Sequence, residues 1–149
     1  MENSAIALEV VLANTFMMYI RAHAFHWNVT GILFHSMHQY FDNLYNELWQ
    51  AVDPIAEEIR ALGPLAPATL NDLVQHATTP LTSNTTATPG TPNEMIQELL
   101  EYNHAVLASL YDAHSAAKEE EHDGLVNFIE ERIDKHAKIG WQLKAHLVN

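Results

Sequence analysis

The stretch HWNVTGILFHSMHQYFD, residues 26–42, joins two helical segments and sets imidazole and carboxylate groups among apolar residues rather than opposite them. From about Ser4 to Trp27 the chain is apolar nearly all round (Val10, Val11, Phe16, Met17, Tyr19, Ile20), the pattern of a helix buried on several sides. Beyond it, Phe34, Met37, Phe41, Leu44, Leu48, Val52, Ile55, Ile59 and Leu62 recur at steps of three and four. That spacing predicts a second helix of about eight turns. Gly31 lies in the short link between the two. His26, His38 and Asp42 therefore need a reason to be where they are.

Working outward, the texture changes after Gly63 to PLAPATLNDLVQHATTPLTSNTTATPGTP, too rich in Pro, Thr, Ser and Asn for a long helix interior. It reads as a connector holding one short helix, Thr69 to Ala77. At Thr91-Pro92-Asn93-Glu94 a capping box with proline at the first helical position predicts a third long helix, to about Ala117. The acidic turn KEEEHDG precedes a fourth, with Leu125, Phe128, Ile129, Ile133, Ile139, Leu143 and Leu147 on its apolar side. Two long helices, a long crossover and two more long helices define an all-α, four-helix bundle with ferritin-like connection, read as one domain over residues 1–149.

A chain of 149 residues, 48% apolar, can bury a sizeable core. Nineteen Asp and Glu against seven Lys and Arg give a formal charge of −12, which repels phosphate backbones and attracts cations. With no cysteine and ten histidines, any metal site must use nitrogen and oxygen donors. The N-terminus lacks a basic region, carries Glu2 and Glu9, and has no uninterrupted membrane-length run, so neither a signal peptide nor a membrane span is expected. The expectation is a cytoplasmic protein, in which the sequons at Asn28 and Asn84 carry no meaning.

On the second helix His38 and Asp42 are four residues apart, and so are Asp53 and Glu57. Each pair lies on one face, about one turn apart. At 100° per residue, all four fall within roughly 100° of arc, yet the two pairs are separated by roughly 22 Å along the helix axis. One ion cannot touch both within a chain. Two copies packed antiparallel about a two-fold axis near Tyr45 to Trp49 would bring His38 and Asp42 of one against Asp53 and Glu57 of the other, twice over. His26 can reach the His38 end. Two imidazoles and three carboxylates suit Fe(II), with Zn(II) and Mn(II) as competitors. Against this, histidines on apolar faces usually serve packing, and Asp53 and Glu57 also fit an ordinary solvated face beside Glu58 and Arg60.

His26-Trp27-Asn28, then Gly31, Phe34, His38, Phe41, Asp42, Asp53, Ile55, Ala56 and Glu57 through Leu62-Gly63, resemble the signature of the Dps family, the dodecameric miniferritins. The run IDKHAKIGWQLKAHL resembles that family's last helix, and the Thr69 to Ala77 segment falls where Dps proteins carry a short helix. The likeness extends over nearly the whole chain. It implies that His26, His38, Asp42, Asp53 and Glu57 are ferroxidase ligands. It further implies that Fe(II) bound between subunits is oxidised by hydrogen peroxide, or more slowly by oxygen, and stored as ferric mineral inside a shell of twelve. Trp27 would then be a radical quencher or an interface aromatic. Glu119, Glu120, Glu121 and Asp123 would line a pore or form a solvated turn.

Two features depart from that pattern. Pro54 lies between Asp53 and Glu57 and should kink the helix. Many Dps proteins bind DNA through a Lys-rich tail, whereas only MENS precedes the first helix here and the sequence ends at HLVN, so direct DNA binding is not expected. Glu101-x-x-His104 and Glu119-x-x-His122 each match a di-iron half-site of larger ferritins, but are too far apart to meet. The other readings are a DNA-compacting structural protein and a helical interaction module with structural histidines.

Overall fold

The first helix, α1 (Asn3–Asn28), owes its length to a continuous buried face: Leu8, Val11, Leu12, Met18, Ala22 and Phe25 are all buried in this computed structural model. The structure describes residues 1–80 and 90–147; Asn84 and part of the connector lie outside them. α1 packs on α2 (Phe34–Ala61), on the short α3 (Leu70–His76) and on α4 (Pro92–Glu119), and α4 packs on α5 (Asp123–Ala145). The expected order of two long helices, a short one and two more long ones is the order found. Each fully buried Leu, Ile, Met or Phe in the shared core contributes about 1.5–3 kcal/mol from its apolar area.

By length and composition α1 is apolar enough to cross a membrane, contrary to the reading of its sequence, but half of its most apolar window is buried within the bundle. It is a core helix in this fold, though not sealed on every side. Ile6 and Ile20 are 48% and 40% exposed on the isolated chain.

α2 buries Met37, Phe41, Leu44, Leu48, Ala51, Ile55 and Ile59, close to the predicted stripe. The helix continues through Pro54, which sits with Gln50 and Asp53 on an exposed face, where a missing amide costs least because water can serve the freed carbonyl. α2 stops at Gly63, whose φ of +115° strains any residue with a Cβ. Arg60 Nη1 donates to the carbonyls of Gly63 (3.2 Å) and Pro64 (2.8 Å) just past that end.

The crossover is pinned by one buried side chain. Asn14 Nδ2 donates to Thr78 Oγ1 at 2.8 Å and to the Ala105 carbonyl at 3.3 Å, while Asn14 Oδ1 accepts from the Thr78 amide at 2.7 Å. α3 begins at Thr69, whose hydroxyl accepts from the Asp72 amide. The Thr91–Glu94 capping box is formed in both directions at the start of α4.

α4 ends with the His122 amide on the Ala117 carbonyl, and with Glu121 in left-handed backbone at φ 60°. This is the hydrogen-bond pattern that a glycine usually completes. α5 buries Leu125, Ile129, Ile139 and Leu143, and also His136, which occupies a core position. His136 Nδ1 donates to Asn103 Oδ1 at 2.8 Å, Asn103 Nδ2 donates to the His136 carbonyl at 3.0 Å, and Arg132 Nη2 donates to His136 Nε2 at 3.0 Å. Burial, with the Arg132 charge beside it, lowers the His136 pKa to about 3. Gly140 leaves room for this network, because a Cβ there would stand 3.1 Å from Asn103 Nδ2.

Candidate metal centre

His26, in the last turn of α1, and His38, in the first turns of α2, face each other across the link between those helices. Each ring holds the other's backbone: His26 Nδ1 lies 2.8 Å from the His38 carbonyl and His38 Nδ1 lies 2.6 Å from the His26 carbonyl. A carbonyl accepts only, so both Nδ1 atoms carry hydrogen and both Nε2 atoms keep a free lone pair in the neutral rings. The rings stack at 3.8 Å with 15° between planes, and Phe34 stacks on His38 at 4.8 Å. Orientation of one ring nitrogen by a backbone carbonyl is how metal-ligating histidines are commonly fixed. The donor set therefore fits a divalent cation. The same two bonds also staple α1 to α2.

Asp42, one turn on from His38, is half-buried and accepts from Asn46 Nδ2 at 3.3 Å. Around these groups runs an aromatic cluster. His23 stacks on Tyr45 at 3.8 Å and 6°, with Trp27 at 4.1 Å on its other side. Desolvation first, and then the nearby His26, lower the His23 pKa, with Asp42 opposing them. Desolvation raises the Tyr45 pKa, and so does the Asp42 carboxylate beside its hydroxyl.

Asp53 and Glu57 are both exposed and stand one turn apart on α2; hydrogen bonding with Asp53, together with the Asp53 charge, raises the Glu57 pKa. They lie on the same helix as His38 but roughly 22 Å further along it. Within one chain the His26 and His38 rings stack on each other and Asp53 and Glu57 stand together further along α2, but His26, His38 and Asp42 do not bring three donor atoms within 4.8 Å of one another.

Among the described residues, the one group of three possible ligands with donor atoms within 4.8 Å of one another is Glu2, Glu120 and His122. Sequence reading missed this grouping, since 118 positions separate Glu2 from Glu120 and no periodicity links them. Its oxygens are already committed. Glu120 accepts from the Asn3 amide (2.7 Å) and from the amide and hydroxyl of Ser4 at the start of α1, while His122 pairs with Glu2. These bonds hold the Glu120 pKa below the usual carboxylate range. Glu120 thus caps α1 from the far end of α4, replacing the side-chain cap that Glu2 does not supply. Glu119, Glu121 and Asp123 are exposed at the same corner, as are Glu101 and His104 within α4.

Residues 6–149 match the ferritin-like domain. A DNA protection during starvation protein of Brevibacillus brevis is 30% identical over 147 residues, covering 96% of this chain and 93% of the relative. The crystal structure of Dps from Staphylococcus aureus superposes with a TM-score of 0.88 at 27% identity, covering 98% of this chain and 95% of that one. The Dps protein of Vibrio cholerae O1, described as a member of a broad superfamily of ferritin-like diiron-carboxylate proteins, gives 0.88 at 26%, covering 97% and 89%. The class is thus a ferritin-like bundle. Within it, this chain belongs to the Dps family.

Proposed function

We propose that this protein is a ferroxidase and iron store, with Fe(II) as substrate at sites completed between two copies of the chain. His26 and His38 supply nitrogen ligands and Asp42 an oxygen; Asp53 and Glu57 come from the neighbouring copy. The observation that carries this reading is the reciprocal bonding of His26 and His38, which occupies both Nδ1 atoms and leaves both Nε2 atoms free for a ligand. The exposed Asp53–Glu57 pair supports it from the other half-site. Two neighbouring carboxylates repel each other when ionised and gain by holding a metal ion between them.

Carboxylate ligands favour Fe(III) over Fe(II), so bound iron is poised to lose an electron to hydrogen peroxide or, more slowly, to oxygen. The product collects as ferric mineral inside a hollow shell, a dodecamer built from two-fold dimers, in the cytoplasm. Of the acidic residues at the α4–α5 corner, Glu119, Glu121 and Asp123 belong to the entry route for Fe(II), while Glu120, engaged on the start of α1, does not. Trp27, 64% exposed beside His23, intercepts stray oxidising equivalents. Relatives are named for protecting DNA; in this chain, with its charge of −12, protection comes from removing iron and peroxide together rather than from coating nucleic acid.

Anaerobic Fe(II) titration and native mass, measured on the same purified sample, test the proposal. A saturable Fe(II) site on a twelve-subunit particle, followed by rapid oxidation on adding peroxide, is the expected result. A helical interaction module with structural histidines would show no saturable site.

A further inference from the structure

We propose that the seam between α2 and α5 is a binding site for a primary organic ammonium, which lies against the Tyr40 and Trp141 rings with its charge on Glu47. α2 packs chiefly on α1, and α5 on α4, which leaves a cleft of about 400 Å³ between α2 and α5. Small-molecule sites generally span roughly 300–1,000 Å³, so an amine of several carbons has room here. The lining follows from helical spacing. Tyr40, Asn43 and Glu47 recur at steps of three and four on one face of α2, while Trp141, Gln142 and His146 come from the end of α5.

Charge points to a cation. Glu47 is half-buried and takes part in no ion pair among the described residues, and none of the residues lining the cleft is Lys or Arg. A carboxylate partly withdrawn from water gains from a positive charge brought against it. Arg132 feels the Glu47 charge, but it spends its Nη2 on His136 Nε2 and forms no ion pair with Glu47.

The other walls select an organic ammonium. The Tyr40 and His146 rings lie 4.3 Å apart, and Trp141 lines the cleft although 68% of its surface is exposed. Aromatic faces attract ammonium groups and pack against their methylenes. His146 Nδ1 donates to the Gln142 carbonyl at 2.7 Å, so Nε2 of the neutral ring accepts. With Glu47 and the side-chain carbonyls of Asn43 and Gln142, the cleft offers acceptors for the three N–H donors of a primary ammonium, which a quaternary one lacks. A bare metal ion fits less well, because among the described residues no third imidazole or carboxylate stands with Glu47 and His146 within ligand distance.

Calorimetric titration of the metal-free, full-length assembled protein with n-pentylammonium chloride tests the site without reference to iron. Saturable binding of one pentylammonium per chain is expected. n-Pentanol, of the same length but uncharged, should bind about tenfold more weakly, as should the ammonium to Glu47→Gln, the usual worth of a hydrogen bond to a charged group. Trp141→Ala, at an exposed position that leaves the fold intact, should weaken binding roughly threefold through loss of one aromatic face. Pentyltrimethylammonium should bind less tightly than pentylammonium, and excess magnesium should not displace the amine. Absence of saturable binding, equal affinity for the alcohol, or displacement by magnesium overturns the proposal. So does unchanged affinity in Glu47→Gln, and if that variant fails to fold, unchanged affinity in Trp141→Ala decides against it.

Discussion

Asp53 lies fifteen residues beyond His38 on one uninterrupted helix, α2, so the two cannot share an ion inside a single chain. Each half-site is nonetheless built as though for a ligand. His38 has its Nδ1 engaged on a carbonyl, and Asp53 and Glu57 stand one turn apart on the exposed side of α2.

Replacing His38 and Asp42 together with Ala should abolish Fe(II) oxidation while leaving the oligomer assembled. Loss of the His38 bond to the His26 carbonyl should cost about 1 kcal/mol of stability, the usual net worth of one hydrogen bond. Stopped-flow absorbance of ferric iron and native mass check the two halves of this statement, and an unchanged oxidation rate would contradict the ligand assignment.

His136 predicts an acid weakness. It is neutral and buried in the fold, with its pKa lowered to about 3, whereas an unfolded chain binds a proton at the ordinary value of 6.5. The unfolded state therefore holds more protons between these values, and stability falls as pH drops from 6.5 toward 3. Above 6.5 the contribution is fully present. Thermal midpoints recorded across that window should drop more steeply for wild type than for His136→Gln, which is less stable at neutral pH but has no proton to take up. Parallel slopes would show that the histidine does not titrate as described.

The left-handed backbone at Glu121 marks a place where the chain carries strain. A non-glycine residue there costs about 1 kcal/mol, so Glu121→Gly should raise unfolding free energy by roughly that amount, measured by urea denaturation. The gain is offset only by the loss of an exposed charge near the start of α5.

Much of this architecture is legible in the sequence because it is periodic. The α2 stripe, the Thr91–Glu94 capping box and the short helix after Thr69 are local signals that the fold keeps. What periodicity does not reveal is contact between distant segments. Glu120 caps α1, and Asn14 ties the crossover down, through pairs separated by 64 or more positions. His136 is hidden for another reason: it occupies an apolar slot on α5, where its partners Asn103 and Arg132 make burial tolerable. At the candidate site the spacing of the five residues was visible, but the reciprocal His26–His38 bonding was not, since it depends on how Gly31 turns the link.

Charge makes a separate prediction. At −12 per chain, the proposed shell of many copies would repel DNA, and gel retardation should show no shift at ordinary salt. A shift that weakens steeply with added salt would instead favour the DNA-compacting role.

The most direct test of a site shared between copies is complementation. One variant lacks His38 and Asp42, the other lacks Asp53 and Glu57, and each alone should be inactive. When the two are unfolded, mixed and reassembled, half of the dimers pair unlike chains, and each such dimer regains one intact site, so about a quarter of wild-type Fe(II) oxidation should return. A mixture as inactive as its parents would contradict the shared site.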